Sequence, residues 1–332
     1  MLFVLRRFLR EGKRDSLSPR AAAWPIAAAL AAASSSPAWP AFQDTAYSAR
    51  SMAMGGAFTA VYGDPVSVFF NPAGLAAIPR LSMRLDGVRE IPSASAPAPE
   101  DNLNGIASMR LPARLGVATF SGLAGQEGSA GSEQMEALSW GGEPVRPIPG
   151  GRLYLGASAK MLGLNETGGS PDYERFGLDA GAIYRFRRRF SFGASLINAN
   201  QPSWDLPGLQ DRAPRTARAG FAVELPDFVL AADYAHSNAA ARTPSRDQES
   251  LGVERWWNNE KGHSLFVVRS GVEAGGAQPL WSWGLGVKKF GIEISYAMSI
   301  ALDGDVGPGQ ALSLRFRFIE SPSGVPLNDP PD

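Results

Sequence analysis

The 332-residue chain contains no cysteine and only two histidines. A disulfide framework and a thiolate metal site are therefore excluded, and a His-rich metal centre goes with them. No cofactor is expected. Hydrophobic residues make up 44% of the chain, yet beyond residue 41 no uninterrupted apolar run approaches the ~18 residues of a spanning helix. A helical membrane protein is excluded as well. Positive charge is not in excess either, since 32 Lys and Arg face 32 Asp and Glu. That balance argues against a nucleic-acid partner.

The first forty residues differ from the rest. Arg6, Arg7, Arg10, Lys13, Arg14 and Arg20 outnumber Glu11 and Asp15, and an uncharged, Ala-rich stretch follows from Ala21 to Ser36. This is the layout of a secretory signal peptide, expected over residues 1–41 with cleavage after Ala38 or, preferably, Ala41. Removing those six positive and two negative charges from a chain of net charge 0 leaves a mature net charge of −4.

From residue 79 onward the chain repeats one pattern. Runs of period-2 alternation, rich in aromatic and β-branched residues, are separated by Gly, Pro, Asn, Asp and Ser. In the run 311–318, Leu312, Leu314, Phe316 and Phe318 share one face while Ser313, Arg315 and Arg317 share the other. Fourteen such runs are expected, near 79–91, 103–111, 113–124, 133–141, 151–164, 172–187, 189–199, 214–225, 227–238, 248–257, 262–273, 278–289, 291–302 and 309–319. Their links alternate between tight turns, such as Leu225-Pro226-Asp227, and longer polar loops, such as 200–213. The links after the fourth and eleventh runs depart from that rhythm. Short periplasmic turns and long extracellular loops characterise outer-membrane barrels, so both termini are expected in the periplasm. A secreted β-sandwich would alternate too, but its strands average about five or six residues. The aromatics Trp256, Trp257, Trp281, Trp283, Phe290, Tyr296 and Phe318 fall near run ends, where interfacial girdles belong. The expected fold is all-β, an antiparallel transmembrane β-barrel of about 14 strands over 79–319, monomeric and surrounded by outer-membrane lipid. The Pro- and Asp-rich tail 320–332 is expected to be disordered.

Residues 42–78 read differently. Gly55-Gly56 permits close backbone approach or positive φ. Asp64-Pro65 and Asn71-Pro72 are turn or helix-start signals. Met52, Met54, Phe58, Val66, Phe69 and Phe70 need burial, and the lumen of a wide barrel needs filling. A plug is expected.

The stretch Arg50-Ser-Met-Ala-Met-Gly-Gly-Ala, with Asp64 and Asn71-Pro-Ala-Gly-Leu75, resembles the N-terminal hatch signature of FadL-like outer-membrane proteins, and more closely that of the shorter PorV/PorQ family. Weaker matches follow at Gly156-Ala-Ser-Ala-Lys160, Pro214–Gly220, Leu230–Tyr234, Leu251–Glu254 and Leu312–Phe318. The resemblance implies a plugged barrel with hatch residues Gly55, Gly56, Asp64, Asn71, Pro72, Ala73 and Gly74. It also implies one of two roles. The PorV/PorQ likeness suggests a non-enzymatic protein associated with secretion, with secreted proteins as partners. The alternative is a passive transporter of small hydrophobic molecules such as long-chain fatty acids or aromatic hydrocarbons.

Candidate chemistry is sparse. Neighbouring residues on a strand face opposite ways, so neither His236-Ser237, with Asp233 nearby, nor His263-Ser264 forms a catalytic dyad on a regular strand. No enzymatic activity is expected. Arg315 and Arg317 are expected in the lumen, paired with Glu293 or Asp179. The basic group Arg185, Arg187, Arg188 and Arg189 reads as a solvated turn, with lipid A or phosphate binding as the sharper alternative. Strand glycines 156, 181, 193, 220, 252, 284 and 286 fit curvature or room in the lumen.

Overall fold

The computed structural model describes residues 47–90, 100–127, 131–145, 150–166, 173–187, 189–206, 209–239, 245–258, 264–275, 279–302 and 309–317. The expected signal peptide, His263, Arg188, Phe318 and the tail 320–332 lie outside the described residues.

Sixteen strands are described: β1 (Leu81–Glu90), β2 (Glu100–Arg110), β3 (Val117–Glu127), β4 (Gly131–Val145), β5 (Gly151–Glu166), β6 (Tyr173–Phe186), β7 (Phe190–Ile197), β8 (Ser203–Leu206), β9 (Leu209–Arg212), β10 (Thr216–Leu225), β11 (Phe228–Ser237), β12 (Arg246–Asn258), β13 (Ser264–Ala274), β14 (Leu280–Lys289), β15 (Ile292–Ala301) and β16 (Gly309–Arg317). Fourteen of them form a closed antiparallel barrel in which β1 seals against β16 and β7 pairs with β10. The fourteen runs expected from alternation correspond one to one with these barrel strands.

Alternation assigns the two faces. On β16, Ser313 and Arg315 are buried inside while Leu312 is 58% exposed outside. Around the circumference Leu85, Phe120, Leu138, Phe176, Leu251 and Ile294 also point outward and exposed. The exterior is thus apolar and the interior carries the charge, the reverse of a water-soluble protein.

Inside lies the segment from Tyr47 to Ile78. It forms one short helix, α1 (Ala49–Ala53), and two 3-10 turns, Pro65–Phe69 and Pro72–Ala77. Each is started by a side chain that accepts a backbone N–H: Ser48 from Ser51, Asp64 from Val66 and Asn71 from Ala73. Proline opens both 3-10 turns, where its missing N–H costs nothing. Gly55 and Gly56 adopt φ of 62° and 78°, a conformation that side chains disfavour.

Four expectations are corrected. The link after the fourth run is shorter than the sequence implies, because β4 itself continues to Val145. The loop 200–213 contains a hairpin of its own, β8–β9. Trp256 does not join an exterior girdle: it continues the inward face of Ser250, Gly252 and Glu254, with the Arg269 guanidinium 5.4 Å from its ring. Arg185 is not solvated at its turn but buried in the lumen, whereas Arg187 is exposed.

Candidate functional site in the barrel lumen

The links Leu111–Gly116, Arg187–Arg189, Pro226-Asp227 and Phe290-Gly291 define one end of the barrel, the turn end. The hairpin β8–β9 marks the opposite, loop end. The lumen differs in chemistry between them.

Towards the turn end, the Asp64 carboxylate accepts hydrogen bonds from three guanidiniums, Arg50 at 2.9 Å, Arg84 at 3.1 Å and Arg315 at 3.0 Å. Arg50 also forks onto Glu254 at 2.8 Å through Nε and Nη2. Arg269 reaches Glu254 at 2.5 Å and Glu293 at 3.0 Å. Arg84 closes the other side on Asp86 at 2.8 Å, and the Ser313 hydroxyl donates to Asp86. Four guanidiniums thus balance four carboxylates, which is the condition for burying charge at all. Burial would push the Asp64 carboxyl up, but Arg315, Arg84 and Arg50 together hold it well below the usual carboxylate range.

A second cluster lies across the lumen. Arg185 stacks on Tyr62, 4.0 Å from the ring centroid, and bonds Glu224 at 3.1 Å, while the Tyr62 hydroxyl donates to the same carboxylate at 2.8 Å. A third pair joins Lys160 to Asp179 at 2.8 Å. The expected pairing of Arg315 and Arg317 with Glu293 or Asp179 is met in part. Glu293, the cross-strand neighbour of Arg315, attracts both arginines through its charge, but its hydrogen bond goes to Arg269 and that of Arg315 reaches inward to Asp64. Asp179 is on β6 and serves Lys160 and the Asn198 N–H at 2.7 Å.

The interior segment is seated on glycines. Gly141 pairs with Gly156, Gly156 with Gly181, Gly193 with Gly220, and Gly252 with Gly271 across adjacent strands. A Cβ at Gly271 would strike the backbone at Met54 and Gly55, one at Gly156 that of Pro72 and Ala73, and one at Gly193 that of Thr59 and Ala60. Backbone therefore lies directly on backbone. Asn71 adds to the seat, its Nδ2 donating to Thr59 O at 2.8 Å and to Ala182 O at 3.1 Å. Asp233 accepts the N–H groups of Phe58 and Thr59, both at 2.7 Å. That places Asp233 in the lumen, while His236 sits on the outer face, 2.8 Å from Asp247.

Towards the loop end the lumen becomes apolar. Leu123, Met135 and Leu162 point inward from β3 to β5 and, with Ile106 nearer the turn end on β2, opposite Arg84, pack with Phe69 and Phe70. Tyr47 stacks on Phe69 with ring centroids 4.3 Å apart. Trp204, from the hairpin β8–β9, joins this cluster with no exposed surface, its Nε1 donating to Tyr173 O at 3.2 Å. Sequence reasoning singled out Asp64 but missed Arg50, Arg84, Glu254, Arg269 and Trp204. For Arg84 and Asp86 a signal existed, since both are in phase with Ser82 on the inward face of β1. Nothing in a loop sequence announces that Trp204 folds back inside.

Neither a protein-family model nor a curated protein matches the sequence. The fold does match solved barrels. The Ralstonia pickettii toluene transporter TbuX aligns over 82% of this chain and 98% of its own, with a TM-score of 0.56 and 14% identity. The Pseudomonas putida toluene transporter TodX aligns over 83% of this chain and 99% of its own, also at 0.56 and 14%. Both are FadL-family proteins, and at such identity the likeness is one of fold. A likeness to PorV or PorQ is not among these findings.

Proposed function

We propose that this chain is an outer-membrane barrel of FadL type that passes small hydrophobic molecules, with residues 42–78 as its hatch. The observation that carries the reading is the apolar interior at the loop end, formed by Leu123, Met135, Leu162, Phe69, Phe70 and Trp204. An interior of this composition offers nothing to a hydrated solute and solvates an uncharged hydrocarbon. The apolar exterior supports the membrane reading, because a closed barrel satisfies every strand backbone group while its outer side chains face lipid. The segment Tyr47–Ile78 enters β1 at the turn end, which supports a periplasmic turn end and periplasmic termini. The toluene transporters of the same fold support hydrocarbons as cargo more than they support the secretion role that the PorV/PorQ likeness first suggested.

Entry from the loop end requires the hairpin β8–β9 to swing away, because Trp204 fills the apolar interior. The test is uptake of a labelled monoaromatic hydrocarbon or long-chain fatty acid by cells making the protein. Saturable uptake, reduced when Leu162 or Met135 is replaced by Glu without loss of the folded barrel, is the expected result. Uptake no faster than in cells lacking the protein, or stable co-purification of exported proteins, would overturn it.

A further inference from the structure

The barrel wall carries a feature that cargo passage does not use. On the outward face near the loop end, Tyr296, Leu312, Gly87, Leu103 and Ala124 form one continuous row across β15, β16, β1, β2 and β3. Gly87 and Ala124 leave gaps in it. A Cβ at Gly87 would meet nothing within 4 Å, and its flanking residues Leu312 and Leu103 stand proud, 58% and 63% exposed. From this row the depression runs towards the loop end, where Arg89, Asp101, Gln310 and Ser132 complete its lining, and it forms a groove of about 750 Å³, within the ~300–1,000 Å³ range of ligand sites.

The groove has a polar rim on one side alone. The row towards the loop end holds Gln310, Arg89 and Asp101. Arg89 grips Asp101 through Nε and Nη2, both at 2.7 Å, and remains 64% exposed. Its Nη1 takes no part in that fork. Apolar floor and polar rim follow the order of an amphiphile standing in a membrane leaflet, with its chain along the wall and its headgroup at the level of Arg89. The site also spans the β16–β1 seam, where the two ends of the barrel strand series meet.

We propose that this groove binds one acyl chain of lipid A, the phosphorylated glycolipid of the outer leaflet, with Arg89 donating to a headgroup phosphate. The proposal rests on the membrane orientation given above. Two features favour it over an exit for cargo. The strand pairing of β16, β1, β2 and β3 is unbroken behind the groove, so no gap between these strands opens there for cargo, and the rim supplies the charge-assisted donor that a phosphate uses and a hydrocarbon does not.

The test uses the full chain purified in mild detergent, exchanged against lipid A or phosphatidylethanolamine, and read by native mass spectrometry. Wild type is expected to retain one lipid A. Gly87→Leu, whose Cβ enters open space, should fill the groove and lose it, and Ala124→Leu should do the same from β3. Arg89→Gln should lose the preference for lipid A over phosphatidylethanolamine. Ala232→Leu, outward on β11, should retain it. Folding of each variant is read from heat-dependent gel mobility, and Ala124→Leu decides the matter if Gly87→Leu does not fold. Equal retention by wild type and the groove-filled variants would overturn the proposal, as would displacement of the lipid by toluene. A barrel that inserts into vesicles yet retains no lipid A sinks the groove alone; one that inserts into no vesicle sinks the membrane reading with it.

Discussion

Replacing Asp64 by Asn keeps the shape of the side chain and an oxygen for the Val66 N–H, and removes one charge. Asp64 is fully buried and accepts from Arg50, Arg84 and Arg315. Breaking a buried ion pair by neutralising one partner costs about 3–5 kcal/mol. The three arginines are not equally affected. Arg50 keeps Glu254, and Arg84 keeps Asp86. Arg315 loses its carboxylate hydrogen bond and keeps Gly63 O, at 2.9 Å, with the cross-strand Glu293 as the remaining negative charge that attracts it. The loss therefore falls mainly on one guanidinium, and the lower end, about 3 kcal/mol, is expected. Because these groups tie the interior segment to β1, β12 and β16, the cost should appear first as release of that segment. The assay is urea titration in lipid vesicles, with limited proteolysis between residues 47 and 78 as the local readout. The double variant Asp64→Asn with Arg315→Gln should recover most of the loss, since no uncompensated charge remains. A change below about 1 kcal/mol, or a double variant as damaged as the sum of the singles, would refute the reasoning. The pH dependence follows from the same carboxylate. Its folded-state value lies well below its ordinary one of about 3.9. Its contribution is thus full above about pH 5 and is lost only as pH falls through the depressed value. Mild acidification to pH 5 should leave the segment protected from protease.

Gly271→Val should displace the interior segment or prevent folding, because its Cβ would overlap the Met54–Gly55 backbone; rigid overpacking costs about 1–3 kcal/mol or more, readable as new protease sensitivity. Gly87→Ala, with open space at its Cβ, should leave the heat-dependent mobility shift unchanged. Trp204→Ala removes the largest fully buried side chain among the described residues and should cost about 3–5 kcal/mol locally; freer entry to the loop-end interior should then raise hydrocarbon uptake, and unchanged uptake would remove the hairpin from the route. Arg185→Ala strips Glu224 of a partner and Tyr62 of its stacked cation, so Glu224→Gln in the same chain should soften the effect in urea titration.

The strand count and the facing of each residue were legible in the sequence because both follow from a local property, the period-2 alternation of side chains. Ser313 and Arg315 against Leu312 and Leu314 is a pattern visible in four letters. Arg185 and Trp256 were misjudged for a related reason. Each was weighed by its position near a strand end, although its phase with Ile183 and with Glu254 already pointed inward. The starts of the two 3-10 turns were readable for the same local reason, since Asp64 and Asn71 each cap a residue two positions away, whereas the start of α1 at Ser48 was not singled out.

What only the tertiary structure decided is which charges meet. Asp64 and Arg315 are 251 residues apart, and Arg50 and Glu254 are 204 apart. No periodicity selects such partners; closure of β1 on β16 and the glycine seat beneath Met54, Thr59 and Pro72 bring them together. Trp204 belongs to the same class, because a hairpin in a long loop can fold outward or inward, and the apolar residues that draw it inward come from β3 to β5 and from Phe69 and Phe70. Alternation determined the wall of this protein, whereas the contents of its lumen were decided by packing across it.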